Sequence, residues 1–277
     1  MYSFGPLPKV GKSGRVIGAH QKIDRVAVRH LKKLLPSAHF PDIKTILHFE
    51  GINGPDGAKL KSPGVDEPWH FIDPQDAIGA SLLDDITSHQ VNLTNALKKN
   101  DMVRAGFEAS WLAHAITDGL TPAHHQADEE EIFREVRETV GEKKTVRSRV
   151  VMSGNGSPAQ FVRSNWDHWG AGGTMTTHTM FEAGVAMTIK GKRFNTSKPS
   201  GNDLIRIKRE GIIQYFLESL QYVGHLHMYE TFQKKGWTNM LAKQTNEELV
   251  PIIIRTVTLA WFYAAWKSET GNKKKEI

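Results

Sequence analysis

The sequence predicts an all-α protein, and three observations carry that prediction. Apolar residues recur at the three- and four-residue spacing of a helix face over most of the chain. No run alternates apolar and polar residues over the length of a half-buried strand. Prolines and glycines fall between the periodic segments, where they end helices and begin loops. We therefore expect a single mostly helical domain with long loop insertions.

The helices can be placed in order along the chain. The first covers residues 18–35 and is stopped by Pro36. Asp101 and Asp73 are each predicted to cap a helix that follows them. The longest helix is expected to break near Gly211 or Gly224. The remaining predicted helices are 41–49, 74–99, 101–120, 128–137, 177–190, 203–233 and 246–268.

The composition of the segments divides the chain further. Residues 1–15 are rich in Gly, Pro and Lys and are expected to form an extended arm. Residues 16–268 form the predicted domain, and 269–277 form a basic tail. The polar, Gly/Ser/Thr-rich stretch 140–176 is predicted to be a flap insertion.

The charge balance limits the class of partner. Lys and Arg number 36 against 30 Asp and Glu, a net charge of +6, and the pI is about 9.3. This balance suits an anionic partner such as a phosphodiester, a nucleic acid or the surface of an anionic membrane. The chain has no cysteine, so disulfides and thiolate metal sites are excluded and any metal must use N and O ligands. Nothing in the sequence indicates a protein partner.

Two stretches bear on localisation. The N-terminal residues "MYSFGPLPKVGKSGRV" lack the apolar core of a secretory signal. We therefore expect a cytoplasmic protein, or a secreted one if a leader has been removed. Residues 249–266 are apolar but are interrupted by Pro251 and Arg255, so they are interpreted as a buried helix rather than a membrane span.

The stretch "HAITDGLTPAHH" concentrates metal-binding capacity. His114 and Asp118 are four residues apart and therefore share a helix face, where they can hold one metal. Asp118 has two oxygens and can bridge two ions. His124 follows Pro122, after the helix has turned, and is predicted to reach a neighbouring ion. His125 is expected to be idle.

Other candidate ligands are spread along the chain. "HTMFE" gives His178 and Glu182, again four apart. His70 lies in "EPWHFIDP", fourteen residues after Asp56, and His20 opens the first helix. A lone histidine on an apolar face is more often a hydrogen-bonded core residue. We expect His168 to be exposed or in a loop, and we interpret His225 and His227, two apart on a helix and so facing different ways, as structural.

The joint pattern resembles that of the zinc-dependent phospholipase C and single-strand nuclease superfamily. The resemblance rests on "WHFID", on His–x3–Asp–x3–Pro–x–His in "HAITDGLTPAHH", on "HTMFE" and on "GAHQKIDRVAV". It covers residues 16–265 in order, although about forty of them carry it. It implies a mostly helical fold that holds two or three zinc ions in a cleft.

The resemblance also implies three sets of ligands. One zinc would take Asp56, His70, His114 and Asp118. A second zinc would take His124, His178 and Glu182. A third would take His20 and share Asp118. Secreted members of the family complete this third site with an N-terminal tryptophan, but this chain begins Met1–Tyr2. We therefore expect the third site to be weak or empty, or to use another ligand such as Asp24, four residues after His20.

The expected reaction is hydrolysis of a phosphodiester by zinc-activated water, with Asp56 orienting or deprotonating that water. Glu182 and the family pattern favour a phospholipase C-like enzyme. A single-strand nuclease and a non-catalytic zinc-binding protein on the same fold remain the alternatives. Aromatic side chains that could contact the leaving group are Phe49, Trp69, Phe71, Trp166 and Trp169.

Overall fold

The computed structural model describes residues 18–50, 53–55, 71–78, 80–125 and 173–273. These residues are mostly helical, and no strand occurs among them. The all-α prediction therefore agrees with the structure. The helices are α1 (Ala19–Leu34), α2 (Ile43–His48), α3 (Ser81–Lys98), α4 (Met102–Gly119), α5 (Thr174–Ile189), α6 (Gly201–Glu210), α7 (Ile212–Gly224), α8 (Met228–Lys235), α9 (Asn239–Gln244) and α10 (Val250–Lys273).

The core forms around α10, which packs against α1, α3 and α4. Trp261 of α10 is fully buried, and its Nε1 donates a hydrogen bond to the carbonyl oxygen of Ala109 in α4 at 3.0 Å. The run 239–270 is long and apolar enough to cross a membrane by length and composition alone. However, 72% of its most apolar window is buried inside the protein. The fold therefore uses this apolar surface as its core.

Helix α4, which carries His114 and Asp118, begins and ends as its sequence predicts. The Asp101 side chain accepts a hydrogen bond from the backbone N–H of Arg104 at 3.0 Å, which caps the first turn. The helix ends at Gly119, and a 3₁₀ turn, Pro122–His124, redirects the chain. The hydroxyl of Thr121 donates to the carbonyl oxygen of Thr117 at 2.7 Å and ties this turn to the end of the helix.

Two predictions about helix boundaries are wrong. The helix predicted at 74–99 begins only at Ser81, with Ala80 as its N-cap. Asp73 is not a helix cap, because its carboxylate accepts a hydrogen bond from the backbone N–H of Gln75 at 2.7 Å and closes a local turn instead.

The long segment 203–233 is divided into α6, α7 and α8. It breaks at Gly211, whose φ of 81° suits glycine, and again after Gly224. Both breaks fall where the sequence placed them. The final helix is preceded by α9 and a π-helical turn, Thr245–Leu249. The predicted helix at 128–137, the flap at 140–176, the arm at 1–15 and residues 274–277 of the basic tail lie wholly or largely outside the described residues.

Candidate metal centre

The first cluster consists of His20, Glu50, His114 and Asp118, and all four side chains are buried. His20 lies in the first turn of α1, and His114 and Asp118 are one turn apart on α4. The two imidazole rings stack with their centroids 4.2 Å apart. Their Nε2 atoms each lie 3.1 Å from a different oxygen of Asp118, Oδ1 for His20 and Oδ2 for His114. Asp118 is thus shared between the two histidines.

Glu50 was not predicted as a site residue. It follows α2, and α2 approaches α4 closely because residue 106 is glycine: a Cβ there would lie 2.6 Å from Cγ2 of Thr45. Oε1 of Glu50 lies 3.2 Å from Nδ1 of His114 and 3.9 Å from Nδ1 of His20. The local sequence gives one weak signal, an acidic residue between a helix end and a Gly-rich loop.

The second cluster consists of His124, His178 and Glu182. His178 and Glu182 are one turn apart on α5. His124 lies in the 3₁₀ turn after α4, which places it beside them. The Nε2 atoms of His124 and His178 each lie 3.2 Å from Oε1 of Glu182. Phe71 is buried and stacks on His124 with a centroid distance of 5.2 Å. This aromatic contact holds the His124 ring in place.

The spacing of the donor atoms fits a tetrahedral zinc ion. Two ligand atoms on such an ion, at the usual Zn–N and Zn–O distances, are about 3.3 Å apart. The nitrogen–oxygen distances of 3.1–3.2 Å in both clusters are close to that value, and the two contacts of Glu182 also have the geometry of hydrogen bonds. Moreover, Nε2 of His20 is buried and near Asp118 but is not oriented for a hydrogen bond. An ion between the two groups needs this off-axis arrangement, whereas a shared proton would favour a linear one.

The electrostatics of the clusters also suit a cation. The pKa of Asp118 lies well below its usual range, although burial alone would raise it, and His114 and His20 contribute to the lowering. The pKa of Glu182 also lies well below its usual range despite burial, and the charge of His178 and the hydrogen bonds with His124 and His178 contribute to the lowering. Burial lowers the pKa of His124 to about 3, so its imidazole is neutral at neutral pH. An ionised carboxylate and a neutral imidazole are the forms of these groups that bind a metal ion.

The structure thus brings together six of the eight predicted ligands, His20, His114, Asp118, His124, His178 and Glu182. The other two, Asp56 and His70, lie outside the described residues.

The remaining predicted side chains fall in different places. Asp24 is buried near Glu50, and burial raises its pKa well above the usual range. Among the described residues, two groups have donor atoms within 4.8 Å of one another, and Asp24 belongs to neither: His20, Glu50 and His114, and His124, His178 and Glu182. His125 bonds through Nε2 to the carbonyl oxygen of Gly119 at 2.9 Å. His225 bonds through Nδ1 to the carbonyl oxygen of Gln221 at 2.6 Å, and His227 has an exposed side chain. His168, Trp69, Trp166 and Trp169 lie outside the described residues.

Comparison of the chain with protein-family models, with curated proteins and with solved structures found no significant match.

Proposed function

We propose that the protein is a zinc-dependent phosphoric ester hydrolase with the fold of the phospholipase C and single-strand nuclease superfamily. The observation that carries the proposal is the convergence of two buried sets of imidazole and carboxylate groups at ligand-to-ligand distances. Burial of these groups costs desolvation energy unless each one is compensated, and bound metal ions would compensate them.

The residues have separate tasks in this proposal. Bound zinc ions would neutralise the phosphate oxygens and lower the pKa of water toward about 7. Asp118, with one oxygen toward each stacked histidine, would hold two ions together. His124, His178 and Glu182 would hold another ion, with Phe71 fixing the imidazole of His124. Asp56, on the Gly/Pro loop, remains the predicted group that orients or deprotonates the attacking water.

An aromatic patch beside the first cluster suits the leaving group. Phe107, Trp111, His114 and Asp118 follow one another at four-, three- and four-residue spacing and so share one face of α4. The Phe107 and Trp111 rings are half-buried and 4.9 Å apart, and Phe49 meets Phe107 edge-on at 5.6 Å. The patch therefore lies on the same face of α4 as His114 and Asp118, and its rings suit an acyl chain or a stacked base.

We favour a phospholipase C-like activity, because phospholipases of the family tend to have glutamate at the position matched by Glu182, where the nucleases tend to have aspartate. The second candidate is a single-strand nuclease, which is supported by the positive net charge and by Arg104 over the Phe107 ring at 5.0 Å. Phosphatidylcholine vesicles and single-stranded DNA, offered to the same zinc-loaded preparation, separate the two. Release of phosphocholine without DNA cleavage supports the first candidate, and the reverse supports the second.

The first experiment is metal analysis with a generic substrate. We expect at least two zinc ions per chain and hydrolysis of bis-p-nitrophenyl phosphate that a chelator abolishes. Asp118→Asn should lose zinc and most of the activity. Asp101→Asn is the matched control on the same helix, since asparagine caps a helix as well as aspartate. Zinc binding without hydrolysis would favour the non-catalytic alternative, and a metal-free protein would exclude both.

A further inference from the structure

The two stacked histidines of the first cluster present the same nitrogen to the same carboxylate. Both Nε2 atoms face Asp118, each 3.1 Å from its own oxygen. Both Nδ1 atoms face a single oxygen of Glu50, at 3.2 Å for His114 and 3.9 Å for His20. The imidazole pair is thus held between two buried carboxylates with different geometries.

An imidazole ligand gives one nitrogen to a metal and donates the N–H of the other to an acceptor, which fixes the tautomer and the ring orientation. The arrangement of Asp118 fits a metal ligand, because one of its oxygens faces Nε2 of His20 and the other faces Nε2 of His114. The arrangement of Glu50 fits a hydrogen-bond acceptor, because its contact with Nδ1 of His114 has the orientation of a hydrogen bond.

We propose that Glu50 is a positioning residue for His114. It accepts the Nδ1–H of His114 and turns the Nε2 lone pair of that ring toward Asp118. The proposal rests on the metal centre of the proposed function, and it assigns Glu50 to the support of that centre rather than to metal binding.

The opposite assignment, with Glu50 as a ligand on the Nδ1 side, agrees less well with the distances. The 3.9 Å between Oε1 of Glu50 and Nδ1 of His20 exceeds the roughly 3.3 Å expected for two tetrahedral ligands. With Glu50 as the acceptor, the Nδ1–H of His114 compensates its charge.

The test measures zinc binding and histidine tautomers in the full chain. Glu50→Ala should still bind the wild-type number of zinc ions at saturation, but with an affinity 10- to 100-fold lower for the first-cluster ions. Glu50→Gln should lose less, because its amide carbonyl can still accept the Nδ1–H. The matched control is Glu108→Gln, which alters a buried glutamate 2.6 Å from Nδ1 of His89, away from both clusters. Its zinc affinity should be unchanged.

The second measurement needs no variant. In ¹⁵N spectra of the zinc-free protein, Nδ1 of His114 should carry the proton and Nε2 should not, and zinc should shift the Nε2 signal. The proposal is overturned if zinc binds Nδ1, if Glu50→Ala holds one ion fewer at saturation, or if its zinc affinity equals that of the wild type. Absence of phosphodiester hydrolysis by the zinc-loaded protein would refute the proposed function and leave these results standing.

Discussion

The close approach of α2 to α4 at Gly106 allows a quantitative test of how Glu50 is placed. In Gly106→Ala the new Cβ would lie 2.6 Å from Cγ2 of Thr45. Since carbon atoms pack best at about 3.5–4.0 Å, Thr45 must move by roughly 1 Å. It cannot rotate away cheaply, because its hydroxyl donates to Oδ1 of Asp42 at 2.9 Å. We therefore expect α2 to shift and to carry Glu50 with it.

Two opposing effects set the size of the change. Overpacking lowers the free energy of unfolding by about 1–3 kcal/mol. Replacing glycine by alanine inside a helix raises it by about 1 kcal/mol. The free energy of unfolding should therefore fall by about 0–2 kcal/mol. Thr45→Ser removes Cγ2 and keeps the hydroxyl that bonds to Asp42. A double-mutant cycle with Thr45→Ser cancels the helix-propensity effect and isolates the clash, with an expected coupling of about 1–3 kcal/mol.

The assay is urea unfolding of the four zinc-free proteins, followed by zinc titration of each. Gly106→Ala alone should weaken zinc binding, because the acceptor for His114 is displaced, and adding Thr45→Ser should restore the affinity. A coupling below about 0.5 kcal/mol, within the range of independent sites, would refute the close approach. Weakened zinc binding in the doubly substituted protein would refute the link between this contact and Glu50.

Three further outcomes are expected. Trp261→Phe should lower the free energy of unfolding by about 1–3 kcal/mol, because it removes a buried hydrogen bond and part of a buried ring; an equally stable variant would contradict the central position of α10. Burial lowers the pKa of His30, so the unfolded chain binds a proton there more readily and stability falls as pH drops below about 6.5. His30→Gln should therefore lose less unfolding free energy than the wild type between about pH 7.5 and pH 5.5, while the exposed control His39→Gln should match the wild type. Gly211→Ala should cost about 1 kcal/mol or more, because φ is 81° there, whereas Gly191→Ala, with no atom near the new methyl group, should be close to neutral in thermal unfolding.

Those parts of the site that depend on spacing within one helix could be predicted from the sequence. His114 with Asp118, and His178 with Glu182, lie one turn apart whatever the rest of the fold does. The turn that redirects His124 is also local, because Pro122 cannot continue the hydrogen bonds of α4.

Glu50 could not be predicted, because its position is non-local. It depends on where α2 crosses α4, and hence on a missing side chain at position 106, eight residues before His114. The start of α3 was misplaced for a related reason. The Asp73 carboxylate bonds to the backbone two residues later and offers the chain a turn where helix-start statistics favour a cap.

His30 illustrates why a histidine on an apolar face is ambiguous in a sequence. Like His20, it is buried on α1. Its Nε2, however, lies 3.0 Å from the carbonyl oxygen of Phe194 and 3.1 Å from the hydroxyl of Ser197, so it has ordinary hydrogen-bond partners. A core histidine and a candidate metal ligand therefore differ only in the groups that the fold places opposite the imidazole ring.

The packing of α1 against α10 has a consequence for how the protein is made. The ribosome delivers the chain from its N-terminal end, so His20 and the apolar face of α1 emerge long before the helix that covers them. Contacts between segments so far apart in sequence also form slowly. During this interval the nascent chain exposes His20 next to an apolar surface that α10 has not yet covered.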